Sequence, residues 1–187
     1  MKTMIARTKA LFYKVSAWGL LAVLAALIAY SIWYTGPGPY GQYAALAPQG
    51  PMQEVGFYPG AQAVETLAAL NAEARQAKYI ALAFDLPYML LNMLFFGGLM
   101  ALGLKLMNRQ GTRWEGLLLL PMLFFDADLL EDICLALTLA NGSELTGTLA
   151  GIFTALKFLF FMASALIALC LFIAGLVMWI RRKSAKR

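Results

Sequence analysis

Four stretches of this chain, residues 15–34, 79–104, 116–140 and 149–180, are apolar almost throughout. Each reaches the roughly 20 residues of helix that cross about 30 Å of hydrocarbon. In lipid a backbone N–H or C=O has no water to turn to, so a spanning segment must satisfy its own hydrogen bonds, as a helix or in a closed barrel. Continuous apolar runs of this length predict helices. The expected fold is therefore all-α: a polytopic membrane protein, with residues 1–187 forming one four-transmembrane-helix bundle. The hydrophobic share of 61% and mean hydropathy of +0.70 agree with it. The first stretch follows a long basic leader and reads as a retained span rather than a cleaved signal peptide.

Lysine and arginine set the expected orientation. Lys2, Arg7, Lys9 and Lys14 precede the first span. Lys105, Arg109 and Arg113 join the second to the third, and Arg181, Arg182, Lys183, Lys186 and Arg187 end the chain. The other two connections are nearly neutral or acidic. Both termini are thus expected in the cytoplasm, as in a bacterial inner-membrane protein. Trp114 and Trp179 suit the inner interface, Trp33 and Tyr34 the outer. The net charge of +5 flanks apolar spans, which argues against a nucleic-acid partner. Without histidine the chain lacks imidazole metal ligands, histidine-ligated haem and any Ser-His or Cys-His pair. No nucleotide fingerprint, CxxC or GxSxG is present. Cys134 and Cys170 are expected at different depths and so unbridged.

The connection 35–78 is the sizeable part outside the membrane. Its first half, Gly36-Pro37-Gly38-Pro39-Tyr40-Gly41, predicts irregular chain with turns. Residues 61–77 have helix-forming composition, with an apolar side at Val64, Leu67, Ala68 and Leu70. A short helix is expected there, lying on the membrane or running into the second span, either a plain connector or a lid over an outward-facing site. Gly147 and Gly151 form a small-xxx-small pair, a mark of close helix packing. Pro87 and Pro121 fall inside spans, where each removes a hydrogen bond and tends to kink its helix.

Ionisable groups inside apolar spans are costly, about 2.5–3.5 kcal/mol each at mid-bilayer, and they usually pair and mark function. At about 100° per residue, Asp128, Glu131 and Asp132 share one face of the third helix, with Asp126 turned away. Asp85, Tyr88 and Asn92 form a stripe on the second helix; Thr154, Lys157 and Ser164 form one on the fourth. Burial turns all three stripes inward, towards the outer half of the bundle. The first helix offers little beyond Ser16, Tyr30 and Ser31 and is expected to face lipid. Asp85, Asp128, Glu131 and Asp132 against Lys157 leave three surplus negative charges, which calls for protons, a bound cation or water.

Phe84-Asp85-Leu86-Pro87-Tyr88 and Ala127-Asp128-Leu129-Leu130-Glu131-Asp132 resemble a group of small bacterial membrane proteins of unknown function. In these an Asp in one span precedes Ala-Asp-x-x-Glu-Asn in the next. The resemblance covers the second and third spans, about a third of the chain. Asp132 stands where the group has Asn, which makes this version more acidic. No activity is implied. The residues themselves suggest a buried acidic site that binds, and could process, a membrane lipid or small amphiphile. Asp128 and Glu131 would act as base and acid if chemistry occurs, or hold a cationic head group. Asp85, Tyr88, Asn92, Asp132 and Lys157 would complete the binding site. The alternatives are a proton- or cation-coupled transporter, which would need a homodimer or larger complex; a divalent cation held by Asp128, Glu131, Asp132 and Asp85; and an accessory subunit with the charges as an internal lock.

Overall fold

The computed structural model describes residues 2–47 and 56–185. Met1, residues 48–55 of the long connection, Lys186 and Arg187 lie outside the described residues, as do the side chains of residues 2–5. The described chain is helical throughout, with no strand among the described residues: α1 (Lys2–Lys14), α2 (Ala17–Thr35), α3 (Pro39–Leu46), α4 (Gly60–Ala68), α5 (Ala72–Leu106), a 3₁₀ segment (Arg113–Leu119), α6 (Leu120–Asn141) and α7 (Glu144–Ser184). Three helical stretches are long and apolar enough to cross a membrane: Ala17–Leu46, Ala72–Leu106 and Glu144–Ser184. Leu159, Met162 and Leu166 on α7 are each more than 60% exposed. An apolar face of that kind marks a membrane protein.

Local chemistry fixes the element ends. Ser16 stops α1 from running into α2: its side chain accepts a hydrogen bond from the Gly19 N–H at 3.0 Å, so the span expected from residue 15 begins at Ala17. Of the Gly-Pro segment, residues 36–38 form the expected turns, but from Pro39 the chain is helical. Pro39 occupies the first turn of α3, where its missing N–H costs nothing. The helix expected over 61–77 is split. Asn71 caps a new helix by accepting from the Ala74 N–H at 2.8 Å, so residues 72–78 belong to the long α5. Pro121 likewise sits at the start of α6 rather than within it and breaks nothing. Pro87 does lie inside α5, and the helix continues through it. Gly142 closes α6 in the left-handed conformation at φ 65°.

The α6–α7 hairpin packs along α5, α2 and α3 also pack on α5, and α4 is wedged against α7 and α6. Gly147 and Gly151 do mark a close contact, and their partner is the connection rather than another span. A side chain at Gly151 would run into the Tyr58 carbonyl, and one at Gly147 into Gly60 and Ala63. At the opposite end Gly103 and Gly175 bring α5 and α7 together, each facing the other helix's backbone. Two apolar clusters result. One centres on Tyr58, Leu67, Leu135 and Leu139, the other on Phe12, Phe96, Met100 and Leu171. A polar layer lies between them.

Candidate functional site

The polar layer follows from helical periodicity. On α6, Asp128, Glu131 and Asp132 are all buried, whereas Asp126 is exposed on the far side. On α7, Thr154 and Ser164 are buried and Lys157 nearly so. On α5 the buried line runs Ala74, Lys78, Ala81, Asp85, Met89, Asn92, at steps of three and four. Lys78 was expected at the end of the connection. It is instead 1% exposed and belongs to the site. Extending the Asp85 stripe upstream by one heptad is the sequence signal that identifies it.

Lys157 links two carboxylates. Its Nζ is 2.9 Å from Asp128 Oδ1 and 2.5 Å from Glu131 Oε2. The other Glu131 oxygen lies 2.8 Å from the Thr154 hydroxyl, which is also 2.9 Å from the Ala150 carbonyl and 3.2 Å from the Tyr58 hydroxyl. Thr154 has a single proton to donate, so Tyr58 serves as a donor to it. Burial, then the charge of Glu131, pushes the Tyr58 phenol up and keeps it protonated for that task. Lys78 faces Asp132 and Glu131, with its Nζ 4.6 Å from the centre of the Tyr43 ring.

Asp85, Asp128 and Asp132 each turn one oxygen to a common point, all within 4.8 Å of one another. This trio differs from the four-ligand set expected for a cation, because Glu131 is committed to Lys157 and Thr154. With Lys78 included, four carboxylates face two lysines, a surplus of two negative charges rather than three.

Beside this layer is a cavity of about 500 Å³. Asp85, Asp128 and Lys157 form its polar wall. Tyr34, Tyr40, Tyr88, Phe124, Phe158 and Phe161 form the aromatic remainder, with Thr35 at one edge. Asp85 and Asp128 are buried, while Phe158 is 43% exposed and Thr35 is also exposed, so the cavity runs from the charged layer to the protein surface. Neither a cysteine nor a serine is among its lining residues, and the Thr35 hydroxyl donates to the Ser31 carbonyl at 2.8 Å.

Of the expected site residues, Asp85, Tyr88, Asp128 and Lys157 line the cavity. Glu131 and Asp132 sit behind that wall. Asn92 does not line it: its amide donates to the Tyr88 carbonyl of its own helix at 3.0 Å. The first span contributes more than expected. Tyr30 donates to the Phe84 carbonyl at 2.5 Å and Tyr34 to the Ala81 carbonyl at 3.0 Å, on the α5 turns around Asp85. Tyr34 also stacks on Tyr88, with centroids 6.0 Å apart, and packs against Tyr40 at 5.6 Å. Tyr34 is thus part of the cavity as well as a candidate for the outer interface, because a tyrosine at a span end has the same composition signature in either role. Nothing in the sequence marks Tyr58, whose place depends on the course of the connection. Comparison with protein-family models, curated proteins and solved structures finds no match for this chain.

Proposed function

We propose that this chain is a four-span protein of the bacterial cytoplasmic membrane, with both termini inside, that binds a lipid or small amphiphile in the aromatic cavity. The observation that carries the reading is the composition of that cavity. Its volume falls within the range of small-molecule sites, about 300–1,000 Å³, and it combines apolar walls with a few convergent polar groups. An amphiphile needs both: apolar surface for its tail and a charged or hydrogen-bonding end for its head. The cavity's reach from Asp85 and Asp128 to exposed Phe158 offers a path from the bilayer.

The fourth span would be α6. At about 1.5 Å per residue its 22 residues measure about 33 Å, enough to cross the hydrocarbon. Its outer face of Leu123, Leu130, Ile133 and Leu137 is apolar and exposed, suited to lipid, while three of its four carboxylates turn inward. The resemblance carried by Asp85 and Asp128–Asp132 and the basic flanks support the choice of the bacterial inner membrane.

Binding is favoured over processing. Glu131, the second member of the suggested acid–base pair, is fully buried, lies outside the cavity wall and is already held by Lys157 and Thr154. The test is native mass spectrometry of the full chain released from mild detergent, beside an Asp128→Asn/Glu131→Gln variant. A lipid-sized adduct retained by the wild type and lost from the variant is expected. An empty wild type, together with a melting temperature indifferent to a panel of added amphiphiles, overturns the reading in favour of a structural or accessory subunit.

A further inference from the structure

We propose that the head group taken by this cavity is a cation, an amine or quaternary ammonium, and that Asp85 is its counter-ion. The inference rests on the reading that the cavity takes an amphiphile, and it names the chemistry of the head. Three observations carry it. First, Asp85 lines the cavity and is 8% exposed, yet it forms no ion pair among the described residues. Lys157 pairs with Asp128 and Glu131, and Lys78 acts on Asp132 and Glu131 more strongly than on Asp85, so neither lysine is Asp85's own partner. A carboxylate kept from water without its own cation is costly, and a ligand cation removes that cost.

Second, the walls around Asp85 are π faces. Tyr34 and Tyr88 stack beside it, and Tyr40, Phe158 and Phe161 continue the lining. Aromatic walls with a carboxylate are what an organic ammonium prefers, since its diffuse charge is attracted to ring quadrupoles. Third, the space is too large for a bare metal ion, which seeks a tight cage of six to eight oxygens. An anionic head would meet Lys157, which Asp128 and Glu131 already occupy, and would also stand against Asp85 and Asp128.

The experiment uses the full chain in a neutral maltoside detergent. Dodecyltrimethylammonium, dodecanol and dodecanoate share a tail length and differ at the head, and tetramethylammonium has the head without the tail. The readout is the mole fraction of probe that gives the half-maximal rise in melting temperature. Dodecyltrimethylammonium is expected to act at about tenfold lower mole fraction than dodecanol. Asp85→Asn is expected to bring the two together, and Asp126→Asn on the exposed face to leave the ratio intact. A shift by tetramethylammonium that depends on Asp85 indicates a free organic cation as the source; its inertness beside an active long-chain probe indicates a lipid-like amphiphile. Equal midpoints for cation and alcohol, or a preference for dodecanoate, overturn the proposal while leaving amphiphile binding in place. Indifference to every probe removes both. If Asp85→Asn does not fold, the wild-type ratio of cation to alcohol still decides.

Discussion

Lys157 is the residue on which the polar layer depends, because one ammonium serves two buried carboxylates, Asp128 and Glu131. Breaking a buried pair from one side leaves charge without a partner and costs about 3–5 kcal/mol, whereas removing both sides is far milder. Lys157→Met is therefore expected to lower stability by about that amount in thermal melts. Adding Glu131→Gln to it should recover part of the loss, giving a clear coupling energy in a double-mutant cycle. Asp126→Asn, on the exposed side of the same helix, should stay within about 0.5 kcal/mol of wild type. The three converging aspartates invite a second prediction. Of the four carboxylates expected to hold a cation, Asp128 is paired with Lys157 and Glu131 is held by Lys157 and Thr154, so an ion would have to compete with a buried ammonium. Melting temperatures measured with a chelator and with added calcium or magnesium are expected to coincide; a calcium-dependent rise of several degrees would restore the divalent-cation reading.

At the scale of elements, the inward turn of three polar stripes was legible because it needs only the helical repeat. Asp128, Glu131 and Asp132 fall on one face for any straight helix, and Asp126 must then lie opposite. The parts that were not legible depend on where a helix stops. Asn71 starts α5 a full two turns before the apolar run, and this carries Lys78 into the core at a position read as connection. The composition of the first span suits a lipid-facing helix with Tyr34 at the outer interface, yet Tyr30 and Tyr34 bond to α5 carbonyls in a register no local pattern specifies. The small-xxx-small pair announced a close contact without naming its partner, since glycine shows only that something approaches. Because that partner is the Tyr58 carbonyl, Gly151→Val should push the connection off α7 and withdraw Tyr58 from Thr154. A loss of about 1–3 kcal/mol is expected, the usual range for overpacking. Asn71→Ala should cost about 1 kcal/mol through the lost cap, and Asn71→Asp should restore it. Urea or thermal melts of the three variants check both statements.

For the whole molecule the decisive question is whether α6 crosses the membrane, because it carries four carboxylates within 22 residues. Those charges argue against a crossing, and the burial of three of them argues for one. Asp128, Glu131 and Asp132 face protein, and the outward face that remains, Leu130, Ile133 and Leu137, is as apolar as that of a simple span. If α6 crosses, the two turns at its ends lie on opposite sides of the bilayer: the segment before Arg113 with the basic residues, and Ser143 with the neutral ones. Single cysteines at Gln110 and Ser143, in a background with Cys134→Ala and Cys170→Ser, separate the possibilities. In intact cells an impermeant thiol reagent is expected to label the Ser143→Cys protein at once and the Gln110→Cys protein only after the membrane is opened. Labelling of both positions from one side would make α6 a helix that dips in without crossing, and the cytoplasmic placement of both termini would fall with it. The positive-inside bias of Lys105, Arg109 and Arg113 favours the first outcome. So does the packing of α6 along α7, which is itself long and apolar enough to span.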